Sequence, residues 1–228
     1  VANDLTALVT RVQANVDRTF TTTSFVTTAQ AEQWVNDGLA RIHYKIANSG
    51  EDYLLTAASS VPFVAGTSAY NLPTGFYKAK GVDYVGSDGL RYSLHRYMAA
   101  ERNRREGAPS TGIGYEYRIL SSTINFIPTP GSGSYILNYI PVYTVLTSAA
   151  LWSTVIPIGM EDYAVAYASA QCMMKEESDP SPWVARANEL WEMITDWLEP
   201  RDQLEPLRVT DVHRRWEHNI WQQWRGFR

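Results

Sequence analysis

The chain has 228 residues, with 20 Lys and Arg against 24 Asp and Glu, 45% hydrophobic and 19% charged. A chain of this length buries roughly 70–75% of the surface its unfolded form exposes, so a core closes without disulfides or metal. The single Cys172 and the scattered His43, His95, His213 and His218 offer neither a disulfide framework nor zinc-site spacing, and the net charge of −4 argues against general attachment to nucleic acid or anionic membrane.

Leu5, Leu8, Val9, Val12 and Val16 recur at helical spacing behind Asn3 and Asp4, either of which fits the cap position. An amphipathic helix is expected first, and no charged start with an apolar run precedes it, so no secretory signal is expected. Residues 19–28 are rich in Thr and carry Phe20, Phe25 and Val26, a composition that favours an extended connection. Thr27 with Gln30 forms a capping-box pattern, and Val26 with Ala31 a hydrophobic staple. Behind this cap Ala31, Trp34, Val35, Gly38, Leu39, Ile42 and Ile46 share one face, which predicts a second helix to about Asn48.

From Tyr53 the period changes to short runs rich in Val, Tyr and Thr between Gly and Pro signals, so strands replace helices. Residues 82–85 and 90–92 flank the loop Gly86-Ser87-Asp88-Gly89 as a hairpin. Residues 115–120 and 123–127 flank Ser121-Ser122 in the same way, and 135–143 supplies another strand. A short charged stretch, 99–106, is the one helix-like interruption. The turn spacing predicts a β-sandwich or small barrel of five to seven strands. No charged residue stands between Arg118 and Glu161, and 135–158 is long enough for a span of about 20 residues. It contains Asn138, Pro141, Pro157 and many Ser and Thr, however, and its start reads as a strand, so no membrane span is expected.

Helical period returns at Met160 with Tyr163, Ala164, Tyr167, Ala168 and Met174, and Asp179-Pro180 breaks it. Ser181 as cap and Pro182 at the first helical position then open a last helix, which carries Val184, Ala187, Leu190, Trp191, Ile194, Trp197 and Leu198 and stops at Pro200. Four amphipathic helices must each bury a stripe, and one bundle made from both chain ends does so most simply. The expected fold is therefore α+β: N-terminal bundle helices in 1–52, an inserted antiparallel β domain in 53–158, C-terminal bundle helices in 159–200 and an extended arm in 201–228.

The arm concentrates Trp216, Ile220, Trp221, Trp224 and Phe227 with Arg214, Arg215, Arg225 and Arg228, against the single acid Glu217 between 213 and 228. Trp216, Ile220, Trp224 and Phe227 step by four, four and three, which aligns them on one side of a helix. Two readings stand: the aromatics fold back as core, or they form a docking arm, since Trp and Arg dominate interface hot spots.

Signatures of chemistry are missing. There is no phosphate-cradling Gly-rich loop, no Gly-x-Ser-x-Gly and no His-Glu-x-x-His. Glu51-Asp52, Glu161-Asp162 and Glu176-Glu177 are adjacent acids, but neighbours on a helix diverge, and Glu161-Asp162 sits where acids favour a helix start. Cys172 lies among apolar helix residues without a base, and His43 and His95 stand alone. Arg96 with Arg102, Arg104 and Arg105 forms the densest basic patch of the body, a solvated face or a partner contact. No catalytic, cofactor or metal site is expected.

A set of short motifs nonetheless stands in a distinctive order: Thr27-x-x-Gln30-x-x-x-Trp34-Val35-Asn36, Glu51-Asp52-Tyr53, Tyr70-Asn71-Leu72-Pro73-x-Gly75-Phe76-Tyr77-Lys78 and Gly81-Val82-Asp83. Ala100-Glu101-Arg102-Asn103, Tyr117-Arg118, Ile124-Asn125-Phe126-Ile127-Pro128-x-Pro130 and Lys175-Glu176-Glu177-Ser178-Asp179 continue it across most of 1–200. In this order the chain resembles the adaptor proteins of tailed bacteriophages. The resemblance implies a non-enzymatic virion protein at the neck, assembled in the host cytoplasm. It further implies a homo-oligomeric ring, commonly twelvefold, that binds the portal, lengthens the DNA channel without sequence-specific binding, and gives the tail or nozzle protein a platform. The arm from His213 to Arg228 has no counterpart in the shared pattern. Two other classes stay open: a carbohydrate- or peptide-binding β module, because many of the 14 tyrosines fall in the β region, and a hydrolase with an irregular carboxylate site.

Overall fold

The computed structural model describes residues 4–49, 52–98, 100 and 114–198. Helix α1 (Leu5–Val16) starts where Asp4 accepts a 2.8 Å bond from the Ala7 N–H, and it stops at Asp17, whose backbone turns left-handed. An extended connection pairs Thr21 with Thr27 and leads into α2 (Thr28–Ser49). Its capping box is formed: the Gln30 N–H donates to Thr27 Oγ1 at 3.3 Å and the Thr27 N–H to Gln30 Oε1 at 3.2 Å. Two backbone donors near the helix start are thereby satisfied.

After the strands come α3 (Glu161–Lys175) and α4 (Ser181–Trp197). Sequence places the α4 cap at Ser181, yet Ser181 is already helical and Asp179 Oδ1 accepts its N–H at 2.9 Å. Pro180 has no N–H to offer, so the first free donor of this helix belongs to Ser181 and falls within reach of Asp179. Helix α3 touches α1, α2 and α4. A Cβ placed on Gly38 would lie 2.7 Å from Ala164 Cα, so α2 and α3 cross with their backbones almost in contact. Ala164 and Ala168, both buried and one turn apart on α3, keep that face small enough for the approach. The four helices of the described residues share one cluster, joined by Tyr143, Leu146, Trp152 and Ile156. Residues before 50 and after 142 thus contribute to a single core.

Among the described residues nine strands in two sheets run between the helices. The first holds β1 (Thr56–Ala57), β2 (Val61–Pro62), β4 (Phe76–Val85), β5 (Arg91–Ser93) and β9 (Ser134–Pro141), with β4 and β9 antiparallel at its centre. The second runs β3 (Ala69–Asn71), β8 (Thr123–Ile127), β7 (Glu116–Leu120), β6 (His95–Arg96), and β6 pairs with β7 in parallel. Both expected hairpins, β4–β5 and β7–β8, form around their predicted turns. Among the described residues neither sheet closes on itself, which removes the barrel alternative. The outer strands are two or three residues long and offer too few donors and acceptors to continue either ladder.

The two sheets share a cluster in which Val82, Tyr135, Leu137 and Phe63 meet Ile124 and Phe126 of β8. Phe126 packs 4.9 Å from both the Phe63 and Tyr135 rings, and burial pushes the Tyr135 hydroxyl up to about 12. Gly133, which leads into β9, has φ +88°, and an added Cβ would strike the Tyr84 ring and the Val85 carbonyl oxygen at 2.6 and 2.7 Å. Only glycine fits there. The apolar segment 135–158 becomes β9, an irregular run and a short helical turn (Trp152–Thr154). Among the described residues no helix is long and apolar enough to cross a membrane. The helix-like stretch expected at 99–106 falls, apart from Ala100, outside the described residues.

Candidate interaction surfaces

A groove of about 740 Å³ opens between α2, α3 and α4. Its two cations come from α2, where Arg41 and Lys45 are one helical turn apart on the face away from the core. Its rings come from α3 and α4: Tyr163 and Tyr167 stand four residues apart on α3, and the Trp191 ring lies 4.9 Å from that of Tyr163. The Arg41 guanidinium sits 4.6 Å over the Tyr167 ring and the Lys45 ammonium 5.6 Å from Trp191. Each cation is held by a ring face, an attraction that leaves its charge available to an incoming group. Burial pushes the Tyr163 hydroxyl up, and its hydrogen bond with Arg41 pulls in the opposite direction.

Cations held over ring faces suit the recognition of an incoming group. The nearby thiol of Cys172 is buried, and burial pushes it up to about 12. A thiol held protonated in this way is a poor nucleophile at neutral pH. Among the described residues no three His, Cys, Asp or Glu side chains gather as a metal site.

Of the acids singled out from sequence, Asp52, Glu161, Asp162 and Glu176 have structural duties, and Glu51 lies outside the described residues. Glu161 accepts the Gly159 N–H at 2.7 Å, Asp162 pairs with Arg11, Glu176 lies 3.7 Å from Arg18, and Asp52 lies 3.0 Å from Lys80. His95 is exposed on β6, whereas His43 is buried. His43 Nε2 is 3.0 Å from the Pro141 carbonyl oxygen and Nδ1 is 3.1 Å from that of Val155. Carbonyls only accept, so a neutral ring donates to one of the two at a time. Two turns earlier on α2, Asn36 Oδ1 accepts from the Tyr143 hydroxyl at 2.7 Å and the Leu146 N–H at 2.8 Å. Its amide returns a 3.2 Å bond to the Leu146 carbonyl. Asn36 and His43 therefore pin the chain leaving β9 onto the helical core, and burial pushes the Tyr143 hydroxyl up.

Of the basic patch, Arg96 is exposed on β6 beside Tyr117; Arg102, Arg104 and Arg105 lie outside the described residues. The arm, with Arg214, Arg215, Trp216, Ile220, Trp221, Trp224, Arg225, Phe227 and Arg228, also lies outside them. The groove was not found from sequence. Its rings were counted as core stripe, and the available signal was Arg41 and Lys45, a repeated cation on the polar face of an otherwise sparsely charged helix. The loops Gly86–Gly89 and 131–133 meet at one end of the first sheet, where the Tyr84 hydroxyl lies 3.5 Å from the Ser132 carbonyl oxygen.

No curated protein matches this chain. The family model described as SU10 adaptor protein matches residues 3–215, which takes in all four helices and both sheets.

Proposed function

The chain belongs to the SU10 adaptor family, which makes it a phage structural adaptor, and from that premise we propose that it is the head-to-tail connector of the particle. In this reading copies of the chain form a ring, a dodecamer, that binds the portal at the neck and extends the DNA channel. It also gives the tail or nozzle protein its platform. Assembly takes place in the host cytoplasm, and the work is mechanical rather than enzymatic. The observation that carries the reading is the extent of the family match, which leaves little of the chain for a different role. An acidic chain also suits a lumen through which DNA slides, because like charge discourages phosphate binding.

Ring subunits meet through unlike surfaces, one face of a copy against a different face of the next. We read the four helices as a bundle that supplies those contacts, the β region as its insertion, and residues 201–228 as the arm that anchors on the portal. The family match ends at 215, so the assignment of Trp216 to Arg228 rests on residue chemistry alone. Arg96 with Arg102, Arg104 and Arg105 is a secondary partner contact.

Native mass spectrometry of the purified chain, alone and mixed with portal protein, tests this reading. A closed ring on the portal is the expected result, and a chain that stays monomeric and ignores portal would overturn it. Deleting residues 201–228 should leave a folded body that no longer binds portal; retained binding would remove the arm from the scheme. Shortening the loop at Gly86–Gly89 should block tail attachment and spare the portal contact, and intact virions from that mutant would argue against a tail-facing β end.

A further inference from the structure

The groove has a chemical counterpart on the same helix that lines it. Met193 is 62% exposed on α4, and Glu189, Glu192 and Asp196 stand exposed around it. Trp191, inside the groove, and Met193 are two residues apart, which is about 200° around a helix. The cationic aromatic groove and the acidic face with its methionine therefore lie on different sides of α4. Among the described residues Arg41, Lys45, Glu192 and Asp196 take part in no ion pair, while Glu189 is held 3.1 Å from Arg186.

We propose that the groove receives the acidic face of α4 from a second copy of this chain, an inference that rests on the ring reading above. Met193 of one copy inserts among Tyr163, Tyr167 and Trp191 of the next, since a thioether is flexible and packs favourably against ring edges. Glu192 and Asp196 then meet Arg41 and Lys45. The arm is a poorer occupant: from 213 to 228 it carries four Arg against one Glu and has the same sign as the groove. Because groove and knob are different faces of one molecule, each copy that joins presents a fresh groove or a fresh knob, and rotation closes the series.

Charge reversal tests this contact. In the full-length chain, Arg41→Glu with Lys45→Glu makes both faces acidic, and Glu192→Lys with Asp196→Lys makes both basic. Each double variant alone should associate at least about tenfold more weakly than wild type by analytical ultracentrifugation, because facing like charges repel. An equimolar mixture of the two should assemble, since every groove then meets a knob of opposite sign, and so should one chain carrying all four changes. Unfolded chains cannot be rescued by mixing, so recovery reports the contact itself. Met193→Glu, at an exposed position, should weaken association without lowering the melting temperature. Assembly of the double variants as in wild type, or failure of both the mixture and the fourfold variant to recover, would overturn the proposal and leave the ring reading standing. A wild-type chain that is monomeric alone and with portal would overturn both.

Discussion

The helical core and the β core are built on different rules. In the helical part, aliphatic side chains and the small Ala164 and Ala168 let α2 and α3 come together until Gly38 nearly touches Ala164. In the β part, fewer buried residues do the packing, and half of them are rings: Phe63, Phe126 and Tyr135 fill the space beside outer strands only two or three residues long. The two clusters have no residue in common. Tolerance in the first is set by how closely backbones approach, and in the second by ring volume.

The largest effect is expected where a ring is lost. Phe126→Ala should cost about 3–5 kcal/mol in the β region, the usual range for emptying a buried aromatic site. Hydrogen exchange should then show β4, β8 and β9 opening while Cys172 stays protected from thiol reagents. Labelling of Cys172 at the same rate as the strands open would mean the two cores melt as one. Asn36→Ala, which strands the Tyr143 hydroxyl and the Leu146 N–H, should cost about 2–3 kcal/mol and lower both regions in a denaturant titration. A loss confined to the helices would show that Asn36 does not couple them.

Gly38→Ala sets two effects against each other. Alanine in a helix gains up to about 1 kcal/mol over glycine, but here its Cβ meets backbone that cannot swing aside. Overpacking costs about 1–3 kcal/mol and should win, so the melting temperature should fall. A rise would mean that α3 has room to move. The smallest effect concerns Asp179, whose carboxyl is held below its ordinary value by the Ser181 side chain and N–H. Its contribution is complete above the ordinary carboxylate range and is lost as pH falls through the lower folded value. Asp179→Asn should flatten that acid limb of the stability curve, and an NMR titration of Asp179 at its unperturbed position would contradict it.

Local signals carried much of the fold. The Thr27–Gln30 cap, both hairpins and the four helical stripes were legible because each depends on residues within a few positions. Sheet partnership was not, because β9 pairs with residues of β4 that lie 49 to 65 positions before their partners, and nothing local specifies that choice. The pinning role of Asn36 and His43 was not legible for the same reason: they are polar residues beside an apolar stripe, and the partners they pin lie 98 to 112 residues away. The groove was half legible, its rings visible in the stripe and its cations visible on the polar face, but only packing brings α2, α3 and α4 together. The family resemblance, by contrast, was carried by the order of motifs along the chain.

The course of β9 bears on how load would pass through the molecule. One end of this strand leaves Gly133 beside the loop cluster, and the other runs through Pro141 into Tyr143 and Leu146, which Asn36 grips inside the helices. Its eight residues span about 27 Å at strand rise. A pull on the loop end along this axis would load the β4–β9 hydrogen bonds in shear, so that many would have to fail together instead of unzipping one by one. The strand then acts as a tie rod between the two cores, stiff along its length and free to bend at either end.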